Sequence, residues 1–236
     1  MKTDYFNIYA SLTETQKLIL DSTRDWITKF VKPKIEESFN SSIPLDLVSG
    51  LSELGAFGSI FPEKYGGLNL DFISFGLMMK ELEKGDSSVR VISSIQTSLV
   101  MYAIHEYGND MQKKKYLPKL ANGDMIGSFA MSEPSHGSDI SNLKTNFKIV
   151  DDKIIINGSK LWIGNAENSD ISIVWAKNIQ NQVQGIIIET DNISNFESTT
   201  IKKKWSFRSS HTGELFFDNS VVSIDQLLTN SNSIKD

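Results

Sequence analysis

The sequence predicts an α+β fold: an all-helical N-terminal domain followed by a small antiparallel β-barrel-like domain. Two observations carry this. Before Gly123 apolar residues recur every three or four positions, whereas after it they fall in short β-branched runs separated by Asn, Gly and Ser. The chain's 236 residues, 39% hydrophobic and 22% charged, are enough for two packed domains and exclude a disordered polymer. The predicted division is 1–122 helical and 123–236 β, closing on a polar tail, TNSNSIKD.

Each element has a local reason. Thr13 followed three places later by Gln16 has capping-box spacing, and Leu18, Ile19, Trp26, Ile27 and Phe30 continue a helical face until Pro33. A short helix is predicted from Pro44 with Gly55 as its C-cap, then a turn at Phe61-Pro62 and Tyr65-Gly66-Gly67. Asp71 caps a third helix, whose FISFGLMM segment is too apolar for a free surface and predicts a covering partner. A fourth helix should span residues 87–107. Gly108-Asn109 separates it from a fifth, residues 110–120, kinked or stopped by Pro118. In the β half, Ile149-Val150 and residues 154–156 predict a hairpin about Asp151-Asp152. Asn157-Gly158 predicts another tight turn, and residues 171–175, 184–189 and 214–217 are further strands.

Bulk chemistry narrows the function. A net charge of -5 gives no reason to expect nucleic acid or an anionic membrane as partner. With no cysteine there is no disulfide, thiolate nucleophile or zinc knuckle, and His105, His136 and His211 lack metal-ligand spacing. No apolar run is long enough to span a bilayer, and the N-terminus has neither an apolar signal core nor the arginines of a transit peptide, so the sequence is read as cytoplasmic. Lys202, Lys203, Lys204 and Arg208 form one basic cluster, either a solvated face or a site for an anionic ligand.

The chemistry-bearing stretch is Phe129 to Asp139, FAMSEPSHGSD. A strand-like start runs into a loop whose hydroxyls and N–H groups suit anionic or carbonyl oxygens. At Leu161 to Gly164, LWIG sets a flat indole close to a residue with no side chain. These segments, with LSELGAFGSIFPEKYGGLNLD (51–71), YGNDMQKKKYLPKLANGDMIG leading into the loop, and KWSFRSSHTGELFFD (204–218), resemble the acyl-CoA dehydrogenases in order and over nearly the whole chain.

That resemblance implies FAD as cofactor. Phe129, Ala130, Met131 and Ser132 would lie along the flavin, Ser138 would meet the pyrophosphate and the CoA chain, and Trp162, Ile163 and Gly164 would wall the ring. The family usually has Ser or Thr at the position of Gly164, so one hydrogen bond near flavin N5, about 1 kcal/mol, is missing here. Asp86 to Met101, DSSVRVISSIQTSLVM, is similar to the glutaryl-CoA dehydrogenases. By that resemblance Arg90, assisted by Ser94, would face the free carboxylate of glutaryl-CoA, and Arg208 would lie near the substrate entrance. Glu83 or Asp86 is the alternative partner for Arg90.

The resemblance further implies acyl-CoA as substrate, an electron-transferring flavoprotein as electron acceptor, homo-oligomers, and dehydrogenation with decarboxylation to crotonyl-CoA. The family's catalytic glutamate belongs to a third, C-terminal helical domain that has no counterpart in these 236 residues. No catalytic residue is therefore assigned, and Glu133 is read as structural. The expectation is a divided or truncated enzyme that needs a second chain, or a non-catalytic subunit that binds FAD or acyl-CoA. A related flavin oxidase or monooxygenase is the third reading.

Overall fold

The computed structural model describes Asp4 and residues 7–40 and 42–231; the end of the predicted polar tail, 232–236, lies outside them. Helix α1 (Glu14–Trp26) opens with the expected capping box, Thr13 Oγ1 accepting from Gln16 N–H and the Gln16 amide oxygen accepting from Thr13 N–H. Pro33 does not end the coil as the sequence predicts. Without its N–H the i→i−4 ladder cannot continue, so the chain widens into a π-type stretch (Ile27–Val31) and tightens into a 3-10 turn (Lys32–Lys34). It then resumes as α2 (Ile35–Asn40).

Helix α3 (Leu45–Glu53) ends at Gly55, which adopts the left-handed φ of 74° that a C-cap glycine supplies. Helix α4 (Phe72–Gly85) is capped by Asp71, whose carboxylate accepts from the N–H and hydroxyl of Ser74. The fourth predicted helix is continuous but not uniform: α5 (Ser87–Ser94), a π-type stretch (Ile95–Met101) and α6 (Tyr102–Tyr107). Helix α7 (Asp110–Ala121) has an Asn109–Gln112 capping box and runs three residues past Pro118. Among the described residues no helix is long and apolar enough to cross a membrane.

Seven strands follow: β1 (Gly127–Ala130), β2 (Asn146–Val150), β3 (Lys153–Gly164), β4 (Ile171–Lys177), β5 (Val183–Glu189), β6 (Phe196–Thr200) and β7 (Thr212–Ser223). They form one sheet in the order β1-β4-β2-β3-β7-β6, with β5 also on β4. The helical half followed by a curled sheet is as expected, but the sheet is mixed where the sequence predicted antiparallel pairing. Strand β1 runs parallel to β4, Gly127 opposite Ile171, and β2 meets β4 in parallel at Asn146 and Lys177.

The Asn157-Gly158 turn is also corrected. Strand β3 passes straight through it, and its register with β7 slips between Ile156 and Gly158, a bulge instead of a reversal. Glycine is required for another reason: its φ is 140°, and a Cβ would lie 2.6 Å from Thr145 Oγ1. The true turn is Asp151-Asp152, both left-handed as a two-residue hairpin demands.

Strand β4 explains how the halves join. Ile171, Ile173 and Trp175 pack against Val100, Ile104, Leu117 and Leu120 of the helices, while Val174 and Ala176 pack inside the curled sheet with Ile154, Ile156, Ile186 and Leu215. Strands β4 and β5 are buried on both faces along six consecutive residues, so their sequences do not show the in-out alternation of a half-exposed strand. The FISFGLMM segment is split: Met78 is in the helical core, whereas Phe72 and Ile73 stay exposed.

Candidate functional site

The site is built where β1 emerges from under the π-type stretch. A Cβ on Gly127 would sit 2.5 Å from Val100, so glycine lets β1 press against the helix. Buried Gln96 secures the approach. Its carbonyl accepts from Gly127 N–H at 2.8 Å, and its amide donates to the carbonyls of Leu120 and Met125 at 2.9 and 2.7 Å.

Beyond Ala130 the loop is held from below by a buried ion pair. The Glu133 carboxylate accepts from Lys144 N–H at 2.6 Å, Thr145 N–H at 2.9 Å and the Lys160 ammonium at 2.9 Å. Lys160, fully buried, also donates to the Met131 carbonyl at 3.0 Å, and Leu161 N–H donates to the Ser132 carbonyl at 2.9 Å. Burial pulls the Lys160 amine down to about 8 against the opposing pull of Glu133, so it remains charged at neutral pH. Burial raises the Glu133 carboxyl, but the donors from Lys144, Thr145 and Lys160 outweigh it and leave it below its ordinary value. All three donors are satisfied by one carboxylate, which supports the structural reading of Glu133.

The predicted flavin-facing residues divide by exposure. Ala130 and Ile163 have side chains in the β core and can offer only main chain to a ligand. Phe129 and Met131 are half-buried and line a cavity of about 220 Å³ with Ser98, Leu99, Tyr102 and Trp175. Among the described residues the Trp175 indole N–H has no acceptor although the residue is 5% exposed, an orphaned donor in this wall. Ser132 is half-buried, and Ser138 is exposed on a loop where Gly137 has open space around it and Asp139 accepts from Ser141 and Asn142.

Trp162 is 63% exposed and left-handed, φ 64°, at a second bulge between Leu161 and Ile163. That conformation costs a bulky residue on the order of 1–2 kcal/mol, so the indole is held out on a strained backbone. Gly164 lies two residues on, and a Cβ there would meet Ile95 Cδ1 at 2.3 Å. The space a Ser or Thr would need is thus occupied by a methyl group from the helix. Gly164→Thr alone should cost ~1 kcal/mol of stability, the low end of overpacking, since a terminal methyl can swing aside. Ile95→Val should absorb that cost, and a double-mutant cycle by urea unfolding would read a favourable coupling; strict additivity would refute it.

Arg90 and Ser94 do meet. Arg90 Nη1 donates to Ser94 Oγ at 3.1 Å and its Nε to Glu83 Oε2 at 2.7 Å, so the predicted pair and the alternative acid partner coexist. The Ser87 hydroxyl first and Arg90 second hold the Glu83 carboxyl below its ordinary value. Arg208 is elsewhere. Its Nε donates to the Phe39 carbonyl at 3.2 Å and its guanidinium lies 4.4 Å over the Phe39 ring, apart from Arg90.

Sequence reasoning missed Lys160, Gln96 and Ile95. Lys160 had a signal, because it continues the inward period of Ile154 and Ile156, where a cation needs an acid such as Glu133.

These residues fit a flavin: an exposed indole on a strained backbone, a loop braced by the buried Glu133–Lys160 pair, and an apolar cavity whose wall carries the unpartnered Trp175 N–H. Comparison with known proteins gives the family. Residues 13–124 match the acyl-CoA dehydrogenase N-terminal domain and residues 128–220 the acyl-CoA dehydrogenase middle domain. An acyl-CoA dehydrogenase of Bacillus subtilis is 34% identical over 222 residues, covering 92% of this chain and 58% of that protein. A glutaryl-CoA dehydrogenase of Desulfococcus multivorans is 31% identical over 231 residues, 94% of this chain and 58% of that one. The crystal structure of a glutaryl-CoA dehydrogenase from Mycobacterium smegmatis in complex with FADH2 superposes with a TM-score of 0.94 at 32% identity, over 98% of this chain and 59% of its own. The chain therefore spans a little under three fifths of the length of these relatives, and it belongs to the acyl-CoA dehydrogenase family, of which it carries the N-terminal and middle domains.

Proposed function

We propose that this chain supplies the flavin-facing and acyl-facing surfaces of an FAD-dependent acyl-CoA dehydrogenase of the glutaryl type, in a cytoplasmic setting. The observation that carries the reading is the continuity of one helix. Arg90 and Ser94 are bonded to each other, and the next residue, Ile95, packs onto Gly164 of the strand that bears Trp162. A carboxylate held at Arg90 and a ring held at Trp162 would then flank one thioester, which a fork-shaped cation suits.

In this arrangement the main chain of residues 129–132 orients the ring, Trp162 walls it, and the cavity beside Phe129 and Met131 excludes water from an apolar arm. When bound, the flavin would accept the hydride that leaves the β-carbon of the thioester. Removal of the α-proton needs a carboxylate that none of the assigned residues provides, because Glu133 is saturated and Glu83 is paired with Arg90. Electron-transferring flavoprotein is the acceptor that the family resemblance suggests.

Trp162→Ala tests the ring wall directly. Purified with excess FAD, the variant should retain several-fold less flavin than the parent at equal fold content, and unchanged occupancy would remove Trp162 from the site. The saturation of Glu133 also favours a second reading, a subunit that binds FAD and thioester without turnover. Glutaryl-CoA titrated into the flavin-loaded chain separates the two: bleaching of oxidised flavin supports catalysis, and a spectral shift without bleaching supports binding alone.

A further inference from the structure

We propose that the cavity ringed by Lys202, Lys203, Lys204 and Arg208 is a binding site for a phosphate or diphosphate group. This goes beyond the flavin assignment and stands on the cavity alone. The space is about 300 Å³, walled by these four cations together with Phe39, Ser209, Ser210 and His211. Among the described residues no acid lines it and none of the four cations forms an ion pair.

Three consecutive lysines lining one cavity is itself unusual. Side chains of an extended segment alternate between faces, and here a left-handed Lys203, φ 60°, breaks the alternation. A lysine in that conformation is strained, and the strain gathers like charges instead of dispersing them. Arg208 is preorganised, its Nε bonded to the Phe39 carbonyl and its face stacked on the Phe39 ring, so its remaining donors need no further ordering. Lys204 is the most telling member. Its ammonium is half-buried and donates to the Ser210 carbonyl and the Thr212 hydroxyl, with no carboxylate to balance it, and burial lowers its pKa. A desolvated ammonium without a counter-ion is costly, and an anion in the cavity would relieve it together with the mutual repulsion of its neighbours. Burial likewise lowers His211, which therefore adds a neutral imidazole to the wall, and the Glu167 carboxylate near it is engaged by the Thr200 hydroxyl.

Inorganic pyrophosphate titrated calorimetrically into the 236-residue chain at low ionic strength should bind saturably, one per chain, and weaken as NaCl is added. Lys204→Met with Arg208→Gln should weaken it at least ten-fold. Because that pair touches packing, Lys202→Gln with Lys203→Asn is the second test. Both side chains are exposed, asparagine tolerates the left-handed position, and pyrophosphate should bind several-fold more weakly at an unchanged unfolding midpoint. Lys114→Gln with Lys148→Gln, exposed lysines elsewhere, should change nothing. Absence of saturable binding at millimolar pyrophosphate, or equal binding by all variants, would overturn the proposal. CoA and FAD titrated into the same variants identify the source. A parallel loss for CoA assigns the site to the coenzyme's phosphates, a parallel loss for FAD to the flavin nucleotide, and a loss for pyrophosphate alone to a free phosphate. FAD retained without loss in the lysine variants keeps this test separate from that of the ring wall.

Discussion

Replacing Lys160 with methionine should lower the stability of the chain by about 3–5 kcal/mol, the cost of leaving one member of a buried ion pair unpaired. Lys160 and Glu133 are 0% and 2% exposed at their side chains, so solvent cannot take over the lost partner. Urea unfolding checks the magnitude. Glu133→Gln should be destabilising too, but less so, because the amide oxygen still accepts from Lys144 or Thr145 N–H. The double variant Lys160→Met with Glu133→Leu should recover part of the loss, and no recovery would mean that the pair is not the source of the effect. The pH dependence has a definite sign. The folded Lys160 releases its proton near about 8 and the unfolded one near 10.5, so between these values the unfolded chain binds more protons and the stability contribution rises with pH. Glu133 acts at the other end: its lowered carboxyl contributes stability above the ordinary carboxylate range, and that contribution is lost as pH falls through its folded value. Lys160→Met should remove the part of the alkaline slope that Lys160 contributes, leaving the smaller one from Lys204, whose pKa burial also lowers.

Arg90→Ala is the second large effect, and it should be selective. Nε and Nη1 are taken by Glu83 and Ser94, while Nη2 makes no bond among the described residues and is the donor left for a substrate carboxylate. Titrated into the flavin-loaded chain, glutaryl-CoA should bind on the order of 10- to 100-fold more weakly to the variant, the ~1.5–3 kcal/mol of a charge-assisted hydrogen bond. Butyryl-CoA, with no terminal carboxylate, should change little. Arg90→Lys should fall between, since it keeps the charge and loses the fork. Equal losses for both thioesters would show that Arg90 serves the helix through Glu83 and Ser87 and not the ligand.

The helical half was legible because its signals are local. Capping residues Thr13 and Asp71 and the C-cap at Gly55 each act within one turn of the element they bound, whereas the Asn109–Gln112 capping box was read only as a break between helices. The sheet was less so, since pairing is set by distant partners. Asn157-Gly158 has the composition of a turn, yet the contact that requires its glycine comes from Thr145, thirteen residues away. The parallel seating of β1 on β4 depends on Gln96 and Val100 of a helix, which no window around Gly127 reveals. At the site, the Arg90–Ser94 pair was implied by the family resemblance and lies four residues apart on one helix, whereas Ile95 over Gly164 joins residues 69 apart and has no local trace.

Trp162 carries a last consequence. A tryptophan held at φ 64° with 63% of its surface in water serves folding poorly, and glycine or asparagine suits that backbone better. Under the proposed ring-wall role, folding and binding pull this position in opposite directions. A library randomised at 162 and sorted only for thermal survival should discard the indole, and the same library sorted for retained flavin should keep it. Divergence of the two sorted pools at this one codon would measure how much stability the chain gives up to hold its ligand.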